Sequence, residues 1–134
     1  MKPASSIHSL SKPARISAAT IHISNLRLRT YIGFNPEEKT KQQDIIVNAS
    51  IRYRADPAFV SDDEADALNY KSITKKMIHH IENGRFNLLE KLTADLLEIA
   101  SESEQVDHAE VRVDKPHALR FADSVSVTLS AQRH

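Results

Sequence analysis

Residues 111–127, VRVDKPHALRFADSVSV, hold the join between two stretches that each alternate apolar and polar side chains. Val111 and Val113 precede the join, and Val125 and Val127 follow it. A period of two on both sides predicts a β-strand, a connection and a second β-strand. Tight connections between strands are ordinarily made with Gly, Asn or Asp, which accept the unusual backbone angles. This one carries Lys115, Pro116, His117 and Arg120 and has no glycine. It is basic and stiff.

Upstream of this hairpin the pattern changes to a helical one. NLLEKLTADLLEIASE places Leu88, Leu92, Leu96 and Ile99 on one face, and before it Ile73, Met77, Ile78 and Ile81 recur at the same spacing between Tyr70 and Asn83. Asn83-Gly84 reads as the stop of the earlier helix. Ser61 and Glu64 have the spacing of a capping box over SDDEADALNY, as do Asn87 and Glu90. Further back, DIIVNASIRYR alternates cleanly, with Ile45, Val47, Ala49, Ile51 and Tyr53 on one face of a half-buried antiparallel strand. IHISNLRLRTY is a second strand whose phase slips between Ile23 and Leu26, which leaves room for a β-bulge.

The order is therefore ββααββ, an α+β fold in which two helices cover one face of an antiparallel four-stranded sheet. The other face, with Asn48, Ser50, Arg52, Glu110, Arg112, Ser124, Ser126 and Thr128, is polar. Two readings stand for it: a face in water, or the lumen of a barrel formed when subunits join their sheet edges.

Composition narrows the function. The chain has 134 residues, enough for one domain with a real core. Residues 20–132 read as that domain, and the basic, Ser-rich residues 1–19 as a flexible tail. Eighteen basic and 18 acidic side chains balance to zero, which argues against a nucleic-acid or membrane-surface partner. No apolar run approaches the roughly 20 residues of a membrane helix. There is no cysteine, which removes disulfides and thiolate chemistry and fits a reducing cytoplasm. Only two glycines are present, Gly33 and Gly84, so neither a P-loop nor a dinucleotide fingerprint can be built. Of the seven histidines, five are scattered along the chain. The adjacent pair His79 and His80 points about 100° apart on a helix and cannot chelate together.

Four features remain: Glu37-Glu38 shortly after Gly33, Tyr70 at a helix start, Glu90 in the first turn of the next helix, and Lys115 at a strand end. Each alone has a plain explanation. The acids could be solvated loop charges or a helix cap, Tyr70 a core aromatic and Lys115 an exposed terminal charge.

Together, in this order, the segments YIGFNPEE, ALNY, RFNLLEKLTADLLEIA and VDKPHA resemble the dihydroneopterin aldolase family, over nearly all of residues 21–131. Within that family, NLRLRTYIG, DALNY, RFNLLEKLT and HALRFADSVS are more similar to the dihydroneopterin triphosphate 2'-epimerase branch than to the folate-pathway aldolases. The resemblance implies the tunnelling fold (T-fold), a ββααββ unit assembled into an oligomeric barrel of tetrameric rings, usually stacked as octamers, with sites between subunits. It implies that Glu90 anchors the pterin and that Leu68 and Leu89 add backbone contacts. Tyr70 of a neighbouring subunit would lie against the pterin and handle protons. Glu38 would hold the side-chain hydroxyls, and Lys115 would be the principal acid/base. No cofactor and no metal are implied.

The implied activity is epimerisation at C2' of 7,8-dihydroneopterin triphosphate by retro-aldol cleavage and re-addition, with weak aldolase activity beside it. The alternative is a true dihydroneopterin aldolase. A third reading, a non-catalytic pterin- or nucleotide-binding assembly, sits badly with the joint presence of Glu38, Tyr70, Glu90 and Lys115. A lysine acting as a base needs desolvation or a nearby positive charge, and Arg120 is a candidate neighbour. His117 and Arg120 are the first candidates to grip the phosphates, with Arg27, Arg29 and Lys71 behind them.

Overall fold

The computed structural model describes residues 14–16 and 18–133. Most of the tail expected over 1–19 lies outside the described residues, and Ala19 already belongs to the first strand. Strand β1 (Ala19–Ile32) runs antiparallel to β2 (Gln43–Tyr53), β2 to β4 (Val106–Pro116), and β4 to β5 (Ser124–Gln132). Between β2 and β4 come α1 (Asp56–Ser61), α2 (Tyr70–Glu82), the two-residue β3 (Arg85–Phe86) and α3 (Leu89–Ala100).

The sheet order is β3-β1-β2-β4-β5, so the sheet has five strands and is mixed, where four antiparallel strands were expected. The extra strand pairs in parallel with Tyr31 and Ile32 at the end of β1. Two residues carry no readable period. What holds them is a backbone bond from Gly33 N to the Phe86 carbonyl at 2.8 Å, together with the burial of the Phe86 ring.

Helices α2 and α3 pack against one face of the sheet and against each other. Met77, Ile81, Leu92 and Leu96 meet Ile45, Val47, Ile51, Val111 and Val113 there, all fully buried. Each such side chain contributes about 1.5–3 kcal/mol on leaving water, so the alternating strands and the helical stripes are one energetic fact. The phase slip in β1 is a bulge between Ile23 and Leu26. Asn25 there adopts a left-handed backbone, φ 55°, and its N–H donates to Asn48 Oδ1 at 2.9 Å.

The helix ends differ from their sequence signatures. Asp63, not Ser61, caps the 3-10 turn Glu64–Asp66, accepting from Ala65 N at 3.0 Å. Ser61 Oγ instead donates to Asp66 at 2.7 Å. The Asn87–Glu90 box does not form: Leu88 is the N-cap of α3, and Glu90 is left exposed in the first turn. Asn69 does cap α2, accepting from Ser72 N at 3.0 Å. Gly84 is not a left-handed cap. A side chain there would stand 2.8 Å from the His80 carbonyl oxygen and closer still to the Phe86 ring.

Gly84 is thus a spacing residue, and its backbone partner cannot retreat without disturbing α2. Gly84→Ala is expected to cost about 1–3 kcal/mol. Thermal unfolding checks this, and an unchanged midpoint would contradict the packing account.

Candidate active site

Lys115 is the next-to-last residue of β4, and its side chain lies on the helix side of the sheet, in phase with Val111 and Val113. Its ammonium meets Glu38 Oε2 at 2.5 Å, with only 13% and 16% of the two side chains exposed. Glu38 comes from a 3-10 turn (Pro36–Lys39) in the loop between β1 and β2. The loop folds back because Gly33, at φ 129°, takes a backbone angle that side chains disfavour. The Glu38 carboxylate fills the space where a Gly33 Cβ would stand.

Three donors converge on that carboxylate. Besides Lys115, Gln43 Nε2 donates to Oε2 at 3.0 Å and Asn35 N to Oε1 at 3.3 Å. Gln43 is itself fixed by donating to the Ile32 carbonyl at 2.7 Å. The Lys115 bond first, and the Gln43 bond second, pull the Glu38 pKa from 4.5 down to about 2, against the opposing effect of burial. Glu38 is therefore an acceptor-only carboxylate at neutral pH.

On the opposite face, Asp114 is buried. It accepts two bonds from Arg112, at 2.8 and 3.1 Å, and one from Ser124 Oγ at 2.7 Å. Burial pushes its carboxyl up, but the Arg112 and Ser124 bonds together outweigh that and hold it below the ordinary range. This clamp ties the end of β4 to β5 next to Lys115. Beyond it Pro116 fixes one backbone angle, and His117 turns the chain in a left-handed conformation, φ 68°. The turn thus uses a histidine where glycine is usual. Leu119, Arg120 and Phe121 stand out in water, the Arg120 guanidinium 5.4 Å from the Phe121 ring centre.

The expected residues fall into two groups. Glu38 and Lys115 are in contact. A small hollow of about 120 Å³ beside Glu38 is lined also by Tyr31, Phe86 and Asn87, just before α3 with its half-buried Leu89 and exposed Glu90. Tyr70 and Leu68 line a separate hollow with Asn69 and Lys71, of about 680 Å³, which includes neither Glu38 nor Lys115. The hydrogen-bond partner of Lys115 is the carboxylate of Glu38, while the candidate neighbour Arg120 lies over the Phe121 ring. Sequence reading missed Gln43 and Asp114. Gln43 has the inward phase of Ile45 and Val47, so an amide at that position was a usable signal.

A family model described as FolB: dihydroneopterin aldolase matches residues 21–130. The chain belongs to this family. It is 60% identical over 116 residues to the dihydroneopterin triphosphate 2'-epimerase of Escherichia coli strain K12, covering 87% of this chain and 97% of that one. The epimerase of the same name from Pseudomonas aeruginosa is 50% identical, over 86% of this chain and 94% of that one. The crystal structure of Escherichia coli dihydroneopterin aldolase in complex with neopterin superposes with a TM-score of 0.79 at 26% identity, covering 84% and 98% of the two chains.

The lowered Glu38 pKa makes stability depend on pH with a definite sign. A depressed carboxyl stabilises the fold fully above its unfolded value, near 4.5, and this is lost as the pH falls through the folded value near 2. Wild type is therefore expected to exceed Glu38→Gln in urea unfolding at pH 6, with the gap closing between about pH 4.5 and 2. A gap that stays constant over this range would remove the ion pair as its source.

Proposed function

We propose that this FolB-family chain is a dihydroneopterin triphosphate 2'-epimerase, converting 7,8-dihydroneopterin triphosphate to 7,8-dihydromonapterin triphosphate, with weak aldolase activity. The observation that carries this reading is the contact between Lys115 and Glu38 at the end of β4, a proton donor and a charged acceptor side by side. The 60% identity to a relative of that name supports the epimerase over the aldolase.

The proton on C2' is not acidified by a neighbouring carbonyl, so direct abstraction is poor chemistry. Removing the 2'-hydroxyl proton instead lets the C1'–C2' bond break. Its electrons pass through C1' and C6 to N5 of the dihydropterin, which takes up a proton. The aldehyde fragment rotates and is re-added through its other face, with each proton returned. The pterin is its own electron sink, and the protein need only move protons and hold the parts.

Lys115 acts in this scheme as the principal acid/base, and Glu38, with no proton of its own at neutral pH, accepts from the side-chain hydroxyls that slip between the two groups. Glu90 presents its two oxygens to the amino-pyrimidinone edge, a bidentate fit. Leu89 and Leu68 contribute backbone contacts.

Tyr70 serves as proton relay from a neighbouring subunit. Support for a shared site comes from the two separate hollows and from two sheet edges, β5 and most of β1, which have no further strand beside them among the described residues. Joining such edges closes a barrel, a T-fold ring that stacks as an octamer, with the polar face toward its lumen. The cysteine-free composition fits the cytoplasm.

Chiral analysis of products from the triphosphate and from unphosphorylated dihydroneopterin tests the reading directly. The epimer should dominate with the triphosphate, whereas rapid glycolaldehyde release with little epimer would make the chain an aldolase. Lys115→Ala should lower turnover by about 10²–10⁴-fold with the fold intact. Unchanged turnover would sink the mechanism. Co-assembling Lys115→Ala with Tyr70→Phe subunits should restore activity that neither has alone, and failure in verified mixed oligomers would argue against shared sites.

A further inference from the structure

We propose that a hollow on the polar face of the sheet, beside Pro116 and His117, is an anion subsite that takes the phosphates of the substrate, with Arg27 as its anchor. This deepens the epimerase reading and rests on it for the identity of the ligand. The hollow has a volume of about 420 Å³ and is lined by Arg27, Arg29, Asp44, Ile46, Pro116 and His117, among others.

Sheet register brings these groups to one place. Arg27 and Arg29 share a phase on β1 opposite to Leu26 and Leu28, so both project away from the helices. Arg27 pairs with Ile46, and Ile46 pairs with Asp114. Arg27 is thus two strand spacings, about 10 Å, from the residue before Lys115. His117 follows Lys115 by two residues, at most about 7 Å along the chain. A chain of phosphates leaving the Lys115–Glu38 pair around the end of β4 therefore meets His117 first and Arg27 next.

Charge singles out Arg27. Arg29 is held by Asp44 at 3.2 Å and by the Gln42 carbonyl at 2.8 Å, and the Asp44 carboxylate itself repels an anion. Arg112 is committed to Asp114, and Arg52 to Asp107 at 2.7 Å. Arg85 lies 3.9 Å over the Tyr31 ring and donates to the Lys39 carbonyl. Arg120 lies over Phe121 and Lys71 lines the hollow of Tyr70. The Arg27 side chain has no hydrogen-bond or ion-pair partner among the described residues, and its fork suits phosphate oxygens. The histidine adds an N–H donor from a left-handed backbone conformation, φ 68°, that side chains disfavour.

The subsite explains why cleavage would end in re-addition. Once the C1'–C2' bond has broken, the aldehyde fragment still carries the phosphates, and Arg27 keeps it beside the pterin. Arg27→Ala is expected to weaken binding of inorganic tripolyphosphate, measured by calorimetry, at least tenfold. It should also lower kcat/KM for the triphosphate at least tenfold more than for unphosphorylated dihydroneopterin, and raise the ratio of released aldehyde to epimer. His117→Ala and Arg27→Lys should give smaller changes in the same direction, the latter covering a poorly folded alanine variant. Equal losses on both substrates, or unaltered tripolyphosphate binding, would overturn the subsite. If wild type turns over neither substrate while Arg27→Ala still loses tripolyphosphate binding, the epimerase reading fails and the subsite stands.

Discussion

The ion pair between Glu38 and Lys115 is the constraint on which the site depends. It joins residues 77 positions apart, one from a loop and one from a strand end, with little access to water. Placing two charges there costs desolvation, which their attraction and the Gln43 and Asn35 donors offset. Taking away one partner would leave the other charge buried and unmatched. The pair therefore pins the β1–β2 loop onto the end of β4. It also sets a cationic donor directly against an anionic acceptor.

Both sides of the pair are held from behind. Gln43 spans Glu38 and the Ile32 carbonyl, so the loop acid is tied to the last residue of β1. Asp114, on the other face of β4, is gripped by Arg112 and Ser124. Alternation in β4 sends neighbouring residues to opposite faces, so a clamp at 114 steadies Lys115 without occupying its side of the sheet. Beyond β4 the left-handed turn at His117 breaks this alternation, and His117 lines one hollow with Arg27.

How much of this was legible follows from what a period can encode. The strands of residues 111–127, the clean alternation after Ile45 and the stripes of α2 and α3 were readable because burial repeats along them. The bulge at Asn25 was readable as a broken phase. Strand β3 was not, since two residues have no period and are placed by Gly33 and Phe86 across a long sequence distance. Neither expected capping box formed: Asp63 takes the cap before Glu64, and the extended Leu88 takes the cap before α3. Within the site, Glu38 and Lys115 were legible through family resemblance. Their contact was not. The resemblance also put Tyr70 on a neighbouring subunit, and within one chain Tyr70 lines a hollow that includes neither of them.

A shortage of glycine shapes the rest. Gly33 and Gly84 are both spent on close approach, one under the Glu38 carboxylate and the other under the Phe86 ring. Left-handed turns then fall to Asn25, Asp62 and His117. For Asn and Asp this is a modest demand. For His117 it is a larger one, accepted at the one turn that carries a ring N–H donor next to Lys115. A glycine there would relieve the backbone and remove the donor. With no glycine-rich loop to present backbone amides, anion recognition in this fold falls to side chains or helix N-termini. Among the described residues the polar face offers one arginine, Arg27, whose charge is not already answered by a neighbour.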